Sequence, residues 1–275
     1  MNFNGFDAFA ESQVFKDIIE KKVSNLNIAF ICFYGSMNYN LQTDKSDIDF
    51  CIVYYPTFDN FYNNKFERFS VIEKEYDYFI TPINEYIGHA MKGNVKFIEP
   101  IICETIFEVK DSKVLKIKNS QMLNMVKNFI LINFRRNFNA LTGIAGNKKL
   151  NVEKGLYTSN TLKYKETHGY DIKEAINSLR ILFLLDNYVK TGEFSFAVSR
   201  NSVYKDFEDY LLEINEKKIS KDDYMEIIQE KMSGILSASV ESKIDLLEEK
   251  TAKIREEMEM EIKSDVMKIC RDNAC

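Results

Sequence analysis

The sequence predicts an α+β protein in which a small mixed sheet with flanking helices precedes an all-helical C-terminal domain. Apolar runs of strand length lie within the first 110 residues, and all three prolines lie within the first 100. Beyond residue 111 the apolar residues recur at helical spacing only. These observations predict two domains, residues 1–110 and residues 111–275.

The first domain is expected to alternate helices with strands. Apolar residues from Asp7 to Leu26 recur near a helical period, which predicts a helix. Another helix should begin at Pro82, because proline is well tolerated in the first helical turn. Residues 95–109 should form a short helix and a short strand. The predicted strands are residues 28–34, 47–55 and 69–80.

The second domain is expected to contain helices only. Apolar positions between Val240 and Met258 recur near a heptad, which fits either a helix packed on its own domain or a short coiled coil with a second copy. The oligomeric state therefore stays open. The predicted helices are residues 121–145, 169–190 and 201–216, with one or two more between 221 and 268.

The composition argues against several classes of protein. A net charge of -5 argues against a generally basic nucleic-acid binder, although a local basic cleft stays open. The five cysteines form no Cys-x-x-Cys pair, so buried free thiols in a reducing compartment are expected. Neither histidine has zinc-ligand spacing. The chain lacks a membrane-length apolar run and a signal-peptide pattern, so a cytoplasmic protein without a membrane partner is expected.

Two carboxylates stand at the start of the second predicted strand. Asp47 and Asp49 are two residues apart and should share one face of that strand, where their charges repel. A solvated edge strand is one interpretation. The alternative is a pair whose repulsion is relieved by divalent cations, and oxygen ligands of this kind suit Mg²⁺ or Mn²⁺.

The sequence around this pair favours the second interpretation. Gly35 and Ser36 directly follow the first predicted strand, and such a turn can bring backbone N–H groups and a hydroxyl close to a phosphate. A third acid is expected on the strand 69–80, where Glu73, Glu75 and Asp77 alternate. Any of these three carboxylates could face the first pair across a sheet.

Three ordered segments resemble a known superfamily. Within FYGSMNYNLQTDKSDIDFCIVYY (33–55), a strand, Gly-Ser and then an apolar-Asp-apolar-Asp pattern resemble the signature of DNA polymerase β-type nucleotidyltransferases. YDYFITPINEYIGHAMKGNVKFIEPI (76–101) and THGYDIKEAINSLRILFLLDNYVKTGEF (167–194) resemble the branch associated with RNA-repair ligases and common in phages. Two positions depart from that branch: Val95 replaces a proline, and Asn177 replaces a histidine.

The resemblance implies a metal-dependent transfer of a nucleoside monophosphate from an NTP, with ATP expected, to an acceptor hydroxyl. Aligned on the Lys92-Gly93-Asn94 turn, the third acid of the branch is Asp77. Two Mg²⁺ (or Mn²⁺) ions would then be held by the three catalytic acids Asp47, Asp49 and Asp77. The expected nucleotide-binding residues are Gly35, Ser36, Lys173 and Arg180.

The basic residues of this set share one face of the helix 169–190. Lys173 and Arg180 could neutralise the β- and γ-phosphates of an NTP. They could equally form structural ion pairs with Glu174 or Asp186.

The acceptor is the least determined part of this reaction. The association with repair implies an RNA end, either tRNA or a repair substrate, and the host cytoplasm if the chain is phage-encoded. A protein hydroxyl, modified as in AMPylation, is an alternative acceptor. A non-catalytic nucleotide- or RNA-binding module is an alternative of another class, although retention of all three acids favours an enzyme.

Overall fold

A six-stranded sheet followed by helices forms the protein, and this confirms the predicted fold class. The computed structural model describes residues 5–42, 46–110, 113–117, 120–196, 211, 213–214, 216 and 219–273. The helix predicted at 201–216 lies largely outside the described residues.

The sheet is antiparallel except at one pair of strands. Its order is β3-β4-β2-β1-β5-β6, and only β2 and β4 run parallel. The first two predicted strands are confirmed as β1 and β2. The strands are β1 Asn27–Tyr34, β2 Ile48–Tyr55, β3 Ser70–Ile72, β4 Tyr76–Pro82, β5 Ile106–Lys110 and β6 Lys113–Lys116.

The prediction of one strand over 69–80 is wrong, because this segment is the β3–β4 hairpin. Its turn consists of three consecutive charged residues, Glu73, Lys74 and Glu75, which have no apolar side to bury. The Glu73 N–H closes the turn by donating to the backbone oxygen of Tyr76 at 3.0 Å. Of the three alternating acids, only Asp77 therefore lies on a strand.

Short helices flank the sheet in the N-terminal part of the chain. The single helix predicted from Asp7 to Leu26 is wrong, because Ser12 interrupts it and caps a new helix by accepting the Phe15 N–H at 3.2 Å. A π-helical turn, Ile18–Lys22, continues from that second helix. The helices are α1 Phe6–Ala10, α2 Gln13–Asp17, α3 Phe58–Tyr62, α4 Ile83–Met91 and α5 Val95–Ile102.

Each face of the sheet packs against a different set of helices. One face carries Phe33, Phe50 and Tyr78, which form an aromatic core with Phe9 and Phe15 of α1 and α2. The alternate strand residues point the other way, because successive side chains of a strand alternate between faces. On that second face, rings of α4 and α5 meet rings of the sheet, as in the pairs Phe30–Tyr86 and Phe79–Phe97.

The later part of the chain is helical. The single helix predicted over 121–145 is wrong, because the buried residue Asn133 leaves helical geometry and divides it in two. The prediction of one or two helices between 221 and 268 is confirmed as two. The helices are α6 Gln121–Ile132, α7 Phe134–Glu153, α8 Lys163–His168, α9 Ile172–Thr191, α10 Lys221–Ile235 and α11 Ala238–Asp272.

The chain divides into two compact units. One unit contains residues 1–130 together with 253–275, and the other contains residues 131–252. In the second unit, α9 packs against α7 and α10. Among the described helices, none combines the length and the apolar character needed to span a bilayer. The functional division at residue 110 stays a prediction.

Candidate active site

The parallel pairing of β2 and β4 brings two of the expected acids together. Asp49 lies opposite Asp77 in the register, and residues directly opposite one another in a sheet share a face. Tyr34, the last residue of β1, lies opposite Asp49 on its other side. Since Ile48 and Phe50 belong to the aromatic core, Asp49 points to the face covered by α4 and α5. Asp47 immediately precedes β2 and is half-buried.

The Gly-Ser turn lies directly against one of these carboxylates. Gly35 has φ +95°, a backbone conformation that residues with a side chain rarely adopt. A Cβ atom built on Gly35 would stand 2.6 Å from Oδ2 of Asp49. Only glycine fits this position without displacing the acid. Ser36 then begins a 3₁₀ turn, Ser36–Tyr39.

A buried carboxylate of α5 holds this turn in place. Oε1 of Glu99 accepts the Gly35 N–H at 2.7 Å and Nδ2 of Asn38 at 2.8 Å. Oε2 of Glu99 accepts the hydroxyl of Tyr39. Glu99 is only 2% exposed, and these three donors compensate for its loss of water. Because the Gly35 N–H is used in this way, Ser36 is the residue of the pair that we expect to meet a phosphate.

The environment of Asp77 combines a hydrogen bond with a neighbouring negative charge. Its Oδ1 accepts the Glu73 N–H at 3.1 Å. Partial burial raises the pKa of Asp77, and the charge of Asp47 raises it further, whereas the Glu73 N–H and Lys96 act in the opposite direction.

A lysine of α5 supplies a positive charge at the acidic pair. The Lys96 ammonium lies 3.9 Å from the ring centroid of Phe79 and 4.7 Å from that of Tyr34. The residue as a whole is exposed, but burial of its charged end lowers the pKa of Lys96, while Asp49 and Asp77 act to raise it. The pKa of the Tyr34 hydroxyl is raised, first by burial and then by the charge of Asp49.

The carboxylates of Asp47, Asp49 and Asp77 are suitable ligands for a divalent cation, although they do not form a preorganised metal site. Among the residues that the structure describes, no three His, Cys, Asp or Glu side chains form a metal-binding cluster. One carboxylate oxygen of Asp77 already accepts the Glu73 N–H. Paired oxygen donors from Asp49 and Asp77, with Asp47 close enough to affect the pKa of Asp77, are the ligands that Mg²⁺ and Mn²⁺ prefer.

The two expected phosphate ligands, Lys173 and Arg180, belong to the unit of residues 131–252, whereas the Gly-Ser turn and the acids belong to the other unit. Nη2 of Arg180 donates to Oδ1 of Asn177 at 3.3 Å. The carboxylates considered as structural partners pair with other lysines: Glu174 with Lys148 at 2.8 Å, and Asp186 with Lys190 at 2.6 Å. Lys173 is exposed in the first turn of α9. Their role in nucleotide binding stays a prediction.

A cleft of about 740 Å³ opens beside β4 and α4. Phe79 and Phe97 line it, and the ring of His89 stacks on Phe97 with centroids 4.7 Å apart. Arg68 and Lys92 provide positive charge at its walls. Phe79 is two residues beyond Asp77 on β4, and the cleft extends from Phe79 toward Thr81, in the direction away from Asp77.

Two residues of this site were not identified from the sequence. Glu99 is the single charged residue in the apolar stretch from Phe97 to Ile102, and an isolated charge in such a run indicates a buried polar partner. That signal could have identified Glu99. Lys96 carried no comparable signal, because an exposed lysine near a helix start is common.

The match to known families agrees with this geometry. Residues 13–120 match the nucleotidyltransferase domain family. The matched segment contains the Gly-Ser turn and all three acids, and it supports the DNA polymerase β-type superfamily. The nucleotidyltransferase match covers less than half of the chain, and the branch associated with RNA repair stays a prediction. No curated protein matches the chain significantly.

Proposed function

We propose that the protein transfers a nucleoside monophosphate from an NTP, with ATP expected, to a hydroxyl at an RNA end, releasing pyrophosphate. The observation that carries this proposal is the placement of Asp49 opposite Asp77 with the Gly35 backbone packed on the Asp49 carboxylate. The nucleotidyltransferase match supports the general reaction. The acceptor and the metal dependence are proposed here.

The reaction forms one bond and breaks one bond at the α-phosphorus. The acceptor oxygen bonds to that phosphorus, and the bond from it to the bridging oxygen of pyrophosphate breaks. Asp77 takes up the hydroxyl proton or orients the group that does, from its place opposite Asp49 in the β2–β4 register. Ser36 meets the triphosphate beside Asp49, and Lys173 and Arg180 neutralise its β- and γ-phosphates.

Asp47, Asp49 and Asp77 would hold two Mg²⁺ or Mn²⁺ ions. When bound, such ions stabilise negative charge on the attacking and leaving oxygens. The side chains contribute by fixing the acids relative to the Gly-Ser turn: Glu99 holds the turn, and the β2–β4 register holds the acids.

The cleft beside β4 favours an RNA end over a protein hydroxyl as the acceptor. Single-stranded nucleic acid is bound by aromatic rings that stack on bases and by cations that meet phosphates. His89 is exposed in the cleft and provides such a ring, and Lys92 provides such a cation. A local basic and aromatic cleft is compatible with the acidic net charge of the chain.

The test is incubation of the purified protein with each α-³²P-labelled NTP, Mg²⁺ or Mn²⁺, and a mixture of total RNA and lysate protein. We expect label in RNA that is lost in the double variant Asp47→Asn/Asp49→Asn. The matched control is Asp59→Asn, since Asp59 is an exposed carboxylate of the same unit on α3. Label confined to a protein band would replace RNA by a polypeptide acceptor. If no label in either pool depends on the acids, the proposed transfer to these acceptors is wrong.

A further inference from the structure

The acidic pair and Lys96 form a group of opposite charges within one unit. Asp49 and Asp77 are adjacent across β2 and β4. The two rings that hold the Lys96 ammonium stand beside them, because Tyr34 lies opposite Asp49 in the register and Phe79 is two residues beyond Asp77 on the same face. The ammonium lies over the faces of Phe79 and Tyr34, and aromatic faces attract cations. The rings therefore fix where the positive charge stands.

This placement has a direct electrostatic consequence. Two adjacent carboxylates repel one another, and a nearby positive charge relieves that repulsion. A divalent cation would relieve the same repulsion. Two positive charges near one acidic pair repel each other in turn, so Lys96 and the cation compete for the same negative charge.

We propose that Lys96 is a positioning residue that acts as a built-in counter-ion of Asp49 and Asp77 and weakens binding of divalent cations in the absence of nucleotide. The proposal rests on the proposed function, since it takes the acids as the cation ligands. Because Lys96 as a whole residue is exposed, its ammonium can leave the rings when a triphosphate offers negative charge. Cation binding is then favoured when nucleotide is present.

The experiment measures the affinity of the nucleotide-free full-length protein for Mn²⁺, from the electron paramagnetic resonance signal of free Mn²⁺. Lys96→Met keeps an apolar stem against the rings and removes the charge, and Lys96→Gln is a second neutral variant. Lys96→Arg keeps the charge. The matched control is Lys16→Met, which removes a positive charge from an exposed residue of α2, the helix that covers the opposite face of the sheet.

We expect both neutral variants of Lys96 to bind Mn²⁺ at least about threefold more tightly than the wild type. Lys96→Arg should stay within about twofold of the wild type because it keeps the charge, and Lys16→Met should do so because the charge it removes lies beyond the opposite face of the sheet. A gain of affinity is informative because damage to the fold would lower affinity. Unchanged or weaker binding in Lys96→Met and Lys96→Gln overturns the inference.

An Asp49→Asn variant separates this inference from the proposed function. If Asp49→Asn weakens Mn²⁺ binding and the neutral Lys96 variants leave it unchanged, the counter-ion role alone is wrong. If Asp49→Asn leaves Mn²⁺ binding unchanged, the acids are not the cation ligands, and both the metal part of the proposed function and the inference are overturned.

Discussion

The two faces of the sheet differ in the side chains that the strands present to the helices covering them. On the face covered by α1 and α2, neighbouring strands contribute Phe33, Phe50 and Tyr78 to an apolar core. On the face covered by α4 and α5, two of these strands carry Asp49 and Asp77, each as its second residue. Successive residues of a strand point to opposite faces of the sheet. On the same strands, therefore, residues that stabilise the fold directly neighbour residues expected to perform chemistry.

The largest expected effect is on the aromatic face. Phe50→Ala removes a fully buried ring and leaves a cavity among Phe9, Phe15 and Tyr78. We expect the free energy of unfolding to fall by about 3–5 kcal/mol, measured by urea denaturation. The control is Phe58→Ala, at a residue that is 51% exposed, and this variant should change the free energy of unfolding little. Equal losses in the two variants would contradict the assignment of the core to this face.

The next effect is on the polar face and concerns activity rather than stability. Asp49→Asn keeps the size of the side chain but removes its negative charge, so we expect NMP transfer to fall at least about a hundredfold, or about 2.7 kcal/mol. The midpoint of urea unfolding should stay near that of the wild type. Transfer assays with Asp59→Asn as the control check this. A variant that keeps full activity would remove Asp49 from the catalytic group.

A smaller effect is expected where α5 holds the Gly-Ser turn. Glu99→Gln places an amide N–H₂ among three donors, from Gly35, Asn38 and Tyr39, so one of them loses its acceptor inside the protein. We expect a loss of about 1–3 kcal/mol in unfolding free energy, together with lower nucleotide affinity. Glu104→Gln, at an exposed ion pair with Lys127, is the control. A Glu99→Gln protein with wild-type nucleotide affinity would show that the turn is held by other contacts.

The smallest effect is at the rim of the cleft, where Arg68 pairs with Glu85. This ion pair lowers the pKa of Glu85, so its contribution to stability is present above the ordinary glutamate pKa and is lost as pH falls through the lowered value. Glu85→Gln should therefore lower thermal stability slightly at pH 7 and not at all in strong acid. Melting curves across pH check this. A difference that persists in strong acid would assign the effect to packing rather than charge.

The sequence predicted the aromatic face better than the polar one. β1 and β2 are apolar apart from Asn27 and Asp49, so their existence and the place of the acids followed from local pattern. The β3–β4 hairpin did not, since Glu73 and Glu75 mimic the alternation of a strand while forming its turn. Lys96 and Glu99 acquire their partners only when α5 docks on the sheet, and no local pattern determines that docking.

The single parallel pairing in the sheet ties assembly of the acids to correct folding. A shift of one residue between β2 and β4 would move Asp77 to the other face and expose the rings of Tyr76 and Tyr78 in its place. Any chain that has buried those rings on the core face has thereby placed Asp77 on the same face as Asp49. Chains with this shifted register carry exposed aromatic surface. Cellular quality control that removes proteins with exposed hydrophobic surface therefore also removes chains in which Asp77 is on the wrong face.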